Sequence, residues 1–330
     1  MTDPTIRWGI LGAGVIAHKM AEAINLAKDN QLLAVASRTP NKADAFAAEY
    51  DITAETYESL LTRDDIDVVY IATTHNFHAD NALLALEHGK NLVIEKPFTV
   101  NAAEAQAIVD KARATKCFVM EAIWTRFLPS MLSLKEHISE GAIGQVKAAH
   151  VTFGGIAPDH YRGRLYDPAV AGGVTLDMGI YPVSMLCAAL GKLPEVVSAQ
   201  CVFTDTGVDE ITSFQLRFPG PVLATVNTSF NLMLGQEMTL YGDAGTLAYE
   251  NFQGQSEYTL KQIEGREYTH TGTVGAENAE NGFVHQVEEA ARCLRAGLGE
   301  SPIIPLDESV AIMKVLDQIR AKLPLRYDFE

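Results

Sequence analysis

The chain has 330 residues, more than one small hydrophobic core organises, so two domains are expected. With 47% hydrophobic and 21% charged residues it has the composition of a folded chain, which argues against disorder. A formal net charge of -16 argues against a nucleic-acid groove or an anionic membrane surface, because both need clustered Lys and Arg.

Residues 1–5 are short and polar, without the apolar core of a signal peptide. No run is expected to reach the roughly 18–20 apolar residues that cross a bilayer. Cys117, Cys187, Cys201 and Cys293 are scattered without a CxxC spacing and read as buried free thiols in a reducing compartment. A cytoplasmic protein is expected.

In chain order, short apolar runs at 8–11, 32–36, 68–72, 92–94 and 118–120 alternate with helical patterns over 15–27, 42–49, 77–88 and 102–114. That alternation predicts a doubly wound parallel sheet with helices on both faces, a Rossmann domain over residues 1–123. Behind the first strand, Gly12-Ala13-Gly14-Val15-Ile16-Ala17 opens a helix. Gly12 allows the tight turn, Gly14 admits a phosphate close to the backbone, and Ala17 takes the small position where helix meets strand. A dinucleotide is expected there.

The second strand ends in Ala36-Ser37-Arg38-Thr39, with Lys42 one turn later, where an acid would bind a ribose 2′-hydroxyl. Arg38 offers a planar guanidinium for a 2′-phosphate and for stacking on adenine, and Ser37 and Thr39 add hydroxyl donors, which favours NADP over NAD. The third run ends in Ala72-Thr73-Thr74-His75-Asn76-Phe77-His78, a polar loop suited to the nicotinamide ribose. His75 and His78 read either as proton carriers or as caps of the next helix. The fourth run ends in Glu95-Lys96-Pro97, and Pro97 holds Lys96 extended. Counting these runs in the order 3-2-1-4-5 puts that strand beside the first, with Lys96 facing the cofactor crevice.

The rhythm changes near residues 122–127, and a second, α+β domain is expected over 124–330. It starts with a helix over 131–139 and a strand over 145–153, then an irregular stretch over 154–173. Asp177 and Tyr181 follow, four residues apart; on one helix they share a face, although Pro182 puts the helix start near Gly179 or bends it there. A phenol has a pKa of about 10 and is a poor base at pH 7, but an ammonium beside it favours the phenolate. Lys96 with Tyr181 would then make an acid–base pair for a hydroxyl proton. Strand patterns at 196–203, 211–218, 222–230, 237–241 and 246–249, joined by short turns, predict an antiparallel sheet. Helices over 279–296 and 306–322 close the chain. His270 and His285 stand isolated, so no metal site is expected.

The glycine turn, Thr74-His75-Asn76-Phe77-His78, Glu95-Lys96-Pro97 and the Asp177–Tyr181 spacing together resemble the family of glucose–fructose oxidoreductase, inositol dehydrogenase and MocA, across essentially the whole chain. Many members carry histidine where this chain has Tyr181. The tyrosine, Met120-Glu121-Ala122-Ile123-Trp124-Thr125-Arg126-Phe127 and Arg164-Leu165-Tyr166-Asp167-Pro168 resemble the branch of dihydrodiol and NADP-dependent D-xylose dehydrogenases. The resemblance implies a catalytic Lys96 with Asp177 and Tyr181, and NADP contacts that also draw on Thr73, Thr74, His75, Asn76, His78, Glu95, Trp124 and Arg126. It also implies an open-faced sheet used to form a homodimer. Phe153, Tyr161, Arg164 and Tyr166 are candidates to line the pocket of a sugar or cyclic trans-diol. The expected activity is hydride transfer between a secondary alcohol and the nicotinamide. Tyr181 carries the proton, Lys96 tunes it, and Asp177 orients the pair or binds a second hydroxyl. The alternatives are Lys96 as the carrier, acting on another polyol or inositol, or an NADP-binding sensor without turnover.

Overall fold

The computed structural model describes residues 4–254 and 256–329; residues 1–3 of the polar start and the side chain of His270 lie outside the described residues. Contacts divide the chain into two units: Met1–Trp124 with Asn281–Val310, and Thr125–Glu280 with Ala311–Glu330.

The first unit runs β1 (Ile6–Leu11), α1 (Val15–Leu26), β2 (Asn30–Ala36), α2 (Pro40–Tyr50), β3 (Thr53–Glu55), α3 (Tyr57–Leu61), β4 (Val68–Ile71), α4 (His78–Glu87), β5 (Asn91–Glu95), α5 (Ala102–Thr115) and β6 (Val119–Ala122). All six strands are parallel, in the order β3-β2-β1-β4-β5-β6. β4 is buried throughout and β5 nearly so, which is why both read as unbroken apolar runs. The doubly wound parallel sheet is as expected, but the strand order needs correction. β4, not the strand that ends at Glu95, lies beside β1, and β5 lies beside β4. The cause is β3, a three-residue Thr-Ala-Glu strand at the sheet edge with exposed or half-exposed residues and no apolar run to announce it.

In the second unit come α6 (Pro129–Ser139), β7 (Val146–Ile156), α7 (Asp159–Leu165), α8 (Val174–Asp177), α9 (Ile180–Leu190), β8 (Glu195–Phe203), β9 (Asp209–Phe218), β10 (Val222–Ser229), β11 (Asn231–Gly242), β12 (Gly245–Tyr249), β13 (Glu257–Glu264) and β14 (Glu267–Gly275). The sheet order is β14-β13-β12-β11-β7-β10-β9-β8. It is antiparallel except for the central pair β7–β10. Alternation along β9 and β10 buries Phe214, Leu216, Ala224 and Val226 on one face. The opposite face is open: Tyr241, Leu223 and Val202 are 43%, 53% and 52% exposed. The stretch expected to be irregular holds α7 and a 3-10 turn at Pro168–Val170.

Asp177 ends α8 and Tyr181 is the second residue of α9, so the single helix that would give them one face is broken between them. Pro182 falls in the first turn of α9, where its missing N–H costs no helical bond. By composition, Pro168–Leu190 is long and apolar enough to cross a membrane, with mean hydropathy 1.4, which corrects the expectation of no such run. The segment is divided among the 3-10 turn, α8 and α9, and its most apolar window is 83% buried in the fold.

Two helices end the chain, α10 (Val284–Arg295) and α11 (Leu306–Ala321). The sequence suggested that everything after residue 123 belongs to one domain, whereas Asn281–Val310 packs with the first unit. There α10 lies on α1, Arg295 Nε donates to the carbonyl of Pro4 at 3.1 Å, and Val119 N donates to the carbonyl of Gly299 at 3.0 Å. An amphipathic stripe requires burial but does not say against which domain.

Candidate active site

The nucleotide end is built by β1, α1 and β2. Gly12 N donates to the Ala36 carbonyl at 2.8 Å, which ties the end of β1 to that of β2. At Gly12 φ is +107°, and a Cβ would lie 2.6 Å from the Ala72 carbonyl oxygen, so only glycine fits. A Cβ on Gly14 would meet nothing within 4 Å. Gly14 caps α1 without a side-chain hydrogen bond, and no acidic residue stands in the first turn. Val15 is exposed and Ile16 half-buried. This leaves an open, uncapped helix start whose N–H groups suit a phosphate. At the end of β2 the Arg38 guanidinium lies 3.9 Å from the centre of the Phe77 ring. Thr39 N donates to Ser37 Oγ at 3.2 Å, and Lys42 is exposed in the first turn of α2. Guanidinium, hydroxyls and open helix start form a donor set that fits a phosphorylated dinucleotide.

At the tips of β4 and β5, Thr74 Oγ1 donates to Asn76 Oδ1 at 2.8 Å, and Asn81 Nδ2 donates to Thr73 Oγ1 at 3.2 Å. His78 is fully buried, with Nδ1 2.9 Å from the Pro97 carbonyl and Nε2 3.1 Å from that of Thr73. Its ring therefore braces the two strand tips, and His75 packs edge-on against it at 5.8 Å. Glu95 is buried; it accepts a close hydrogen bond from the Tyr70 hydroxyl, and its Oε2 accepts from Lys96 N at 3.2 Å. Lys96 itself is half-buried. Two supports here escaped the sequence reading. Tyr70 was hidden as one more apolar strand residue. Lys19 of α1 holds its ammonium 4.8 Å from the ring centre of buried Trp124 and 4.6 Å from that of Phe283. Burial pushes Lys19 below its usual value, and the Glu95 charge opposes that shift.

In the second unit Tyr181 is buried, its ring T-shaped against Phe153 with centroids 5.2 Å apart. Asp177 accepts from Arg164 Nη2 at 3.0 Å. Tyr161 and Tyr166 pack on the cluster of Ala157, Leu165, Val174 and Phe230. Arg126, expected at the cofactor, is buried and donates through Nη1 to the Ser184 carbonyl at 3.1 Å and to Ser184 Oγ at 3.2 Å. The structure thus joins Tyr181 to Phe153 and Asp177 to Arg164 within this unit. Lys96 and the nucleotide residues lie in the other.

A Rossmann unit with an open glycine turn, followed by a unit built on an open sheet, is the architecture of a nicotinamide-dependent oxidoreductase. The chain belongs to the Gfo/Idh/MocA oxidoreductase family. The family model described as an oxidoreductase family with NAD-binding Rossmann fold matches residues 6–123, and that of the GFO/IDH/MocA C-terminal domain matches residues 131–248. The chain is 35% identical to trans-1,2-dihydrobenzene-1,2-diol dehydrogenase of Mus musculus over 98% of both chains. It is 32% identical to the enzyme of that name from Homo sapiens, again over 98% of both. A 3-ketoreductase from Actinomadura kijaniata, solved in complex with NADP and TDP-benzene, shares the fold with a TM-score of 0.87 at 24% identity, over 97% of this chain and 98% of that one. The family resemblance read from the motifs is borne out.

Proposed function

We propose that this enzyme is an NADP-dependent dehydrogenase that transfers a hydride between a secondary alcohol, in a sugar or cyclic trans-diol, and the cofactor. The observation that carries this reading is Tyr181, a buried phenol packed on Phe153 and four residues after the Asp177 that Arg164 pairs with, in a chain 35% identical to a dihydrodiol dehydrogenase.

When bound, the nicotinamide supplies the hydride acceptor. Gly12, Gly14, Val15 and Ile16 hold the pyrophosphate at the start of α1, and Ser37, Arg38, Thr39 and Lys42 hold the 2′-phosphate. Thr73, Thr74, His75, Asn76, His78, Glu95, Trp124 and Arg126 shape the ribose and nicotinamide side, several of them as supports. Tyr181 takes the hydroxyl proton at its Oη, Lys96 Nζ hydrogen-bonds the carbinol oxygen and favours the phenolate, and Asp177 orients a hydroxyl of the substrate. Phe153, Tyr161, Arg164 and Tyr166 contact the substrate, their rings suited to the flat apolar face of a cyclic diol or sugar. We further read the enzyme as a cytoplasmic homodimer. The exposed Tyr241, Leu223 and Val202 on the open sheet support pairing of two copies.

The test is NADP reduction across pentoses, hexoses, inositols and trans-dihydrodiols, with NAD as control. Turnover with NADP and a sugar or trans-diol is expected. Preference for NAD would overturn the role given to Arg38, and no turnover with any member of the panel would overturn the substrate class.

A further inference from the structure

Asp209 opens β9 and is fully buried, yet the chemistry above makes no use of it. Its Oδ2 accepts from Thr175 N at 2.8 Å, Thr175 Oγ1 at 2.5 Å and Thr212 Oγ1 at 2.8 Å. Its Oδ1 is buried without a hydrogen-bond partner and faces Gly173, where a Cβ would come within 2.2 Å of it. Gly173 also has φ of +120°, so side chain and backbone both demand glycine there. Burying a carboxyl in this way is costly, and the donors gathered on one oxygen offset only part of that cost.

Two of those donors, the N–H and hydroxyl of Thr175, come from the start of α8, and the third, Thr212, from β9 itself. A side-chain oxygen that accepts from the first-turn N–H of a helix acts as its N-cap, and here β9 supplies that cap from outside the helix. α8 is a single turn of four residues, too short to hold its own shape. Thr175 passes the constraint on, because its carbonyl oxygen lies 2.5 Å from where a Cβ on Gly179 would stand. Gly179 makes the bend into α9, and Tyr181 N donates to the Met178 carbonyl at 3.1 Å within that bend. Asp177 lies two residues after Thr175, and Tyr181 two after Gly179.

We propose that Asp209 is a positioning residue: by clamping Thr175 it sets the α8–Gly179–α9 bend, and with it the carboxylate of Asp177 and the phenol of Tyr181. The inference rests on the reading of those two as substrate-facing groups. It assigns Asp209 no contact with substrate or cofactor.

The experiment compares wild type with Asp209→Ala, Asp209→Asn, Thr175→Val and Tyr181→Phe. It uses NADP and trans-1,2-dihydrobenzene-1,2-diol as probes, and amide hydrogen exchange over residues 174–181 as a readout independent of turnover. Asp209→Ala is expected to lower kcat by on the order of tenfold to a hundredfold, the scale of a small misplacement of reacting groups. It should leave NADP affinity unchanged and speed exchange over 174–181. Asp209→Asn, which keeps an acceptor for Thr175, should restore most of kcat. If Asp209→Ala does not fold, Thr175→Val carries the test, with the same direction expected. Wild-type kcat or wild-type exchange in the folded variant overturns the inference. Full activity in Tyr181→Phe overturns instead the reading of Tyr181, and the exchange readout still decides the clamp.

Discussion

Arg164 and Asp177 form an ion pair, Nη2 to Oδ1 at 3.0 Å, which ties α7 to the end of α8. The carboxylate side chain is 14% exposed and the guanidinium 30%, so water still reaches the pair. A pair in that setting contributes little to stability, about 0–1 kcal/mol. On the proposed reading of Asp177 as a substrate-facing group, the consequence is orientation: Arg164 holds the carboxylate in the position from which it would meet a hydroxyl. Arg164→Ala is expected to raise the KM for diol or sugar more than it lowers kcat, with the thermal midpoint nearly unchanged. Steady-state kinetics beside a thermal melt checks this; a kcat loss with constant KM would contradict it.

Arg38 stands on Phe77 where an acid would select NAD. Charge-assisted hydrogen bonds to a phosphate contribute about 1.5–3 kcal/mol each, tenfold or more in affinity. Arg38→Ala should therefore raise the NADP dissociation constant by at least about tenfold and leave that of NAD within a few-fold. Fluorescence titration with both nucleotides reads the difference, and equal losses for the two would argue against a 2′-phosphate contact.

Tyr70 donates to buried Glu95, next to Lys96 in the chain. Removing that donor with Tyr70→Phe leaves a buried carboxyl short of a partner, at a cost of about 1–3 kcal/mol. Urea unfolding should show a lower midpoint with an unchanged slope. An unaltered midpoint would mean that the hydroxyl contributes nothing to the strand tip.

Asp209 also predicts a pH dependence. Burial pushes its carboxyl above the ordinary carboxylate value, against hydrogen bonds from Thr175 and Thr212 that favour the charged form. The folded state then holds the proton more tightly than the unfolded one. The stability this contributes is complete below the unfolded value and is lost as pH rises through the raised folded value. A neighbouring titratable group is the Cys201 thiol of β8, pushed up to about 11 by burial first and by the Asp209 charge second, so it stays neutral across this window. Asp209→Asn cannot ionise, so its thermal midpoint should gain on wild type as pH rises from about 4 to 8. Parallel midpoint curves over that range would contradict the shift.

Much of this was legible in the residues because it is local. The glycine turn and Glu95-Lys96-Pro97 each announce themselves within a dozen positions, the βαβ alternation repeats from one neighbouring segment to the next, and the parallel sheet and nucleotide end follow. Pro182 likewise marked the bend that α8 and α9 make around Gly179. What escaped was non-local or unpatterned. The edge strand β3 has no apolar run, so a count of apolar runs is offset by one place from the strand order. Asp209 lies 34 positions from Thr175, and α10 carries no mark of the unit it joins. Lys19 carries no signal of its own in the sequence, because only the fold brings it over Trp124 and Phe283.

The central claim is that Tyr181 carries the hydroxyl proton. It is tested most directly by the turnover of Tyr181→Phe with NADP and trans-1,2-dihydrobenzene-1,2-diol, with NADP affinity measured alongside. Loss of a positioned proton carrier predicts a fall in kcat on the order of a hundredfold to ten-thousandfold, with the NADP dissociation constant unchanged. Near-normal kcat in that variant would contradict the account and move the proton to Lys96.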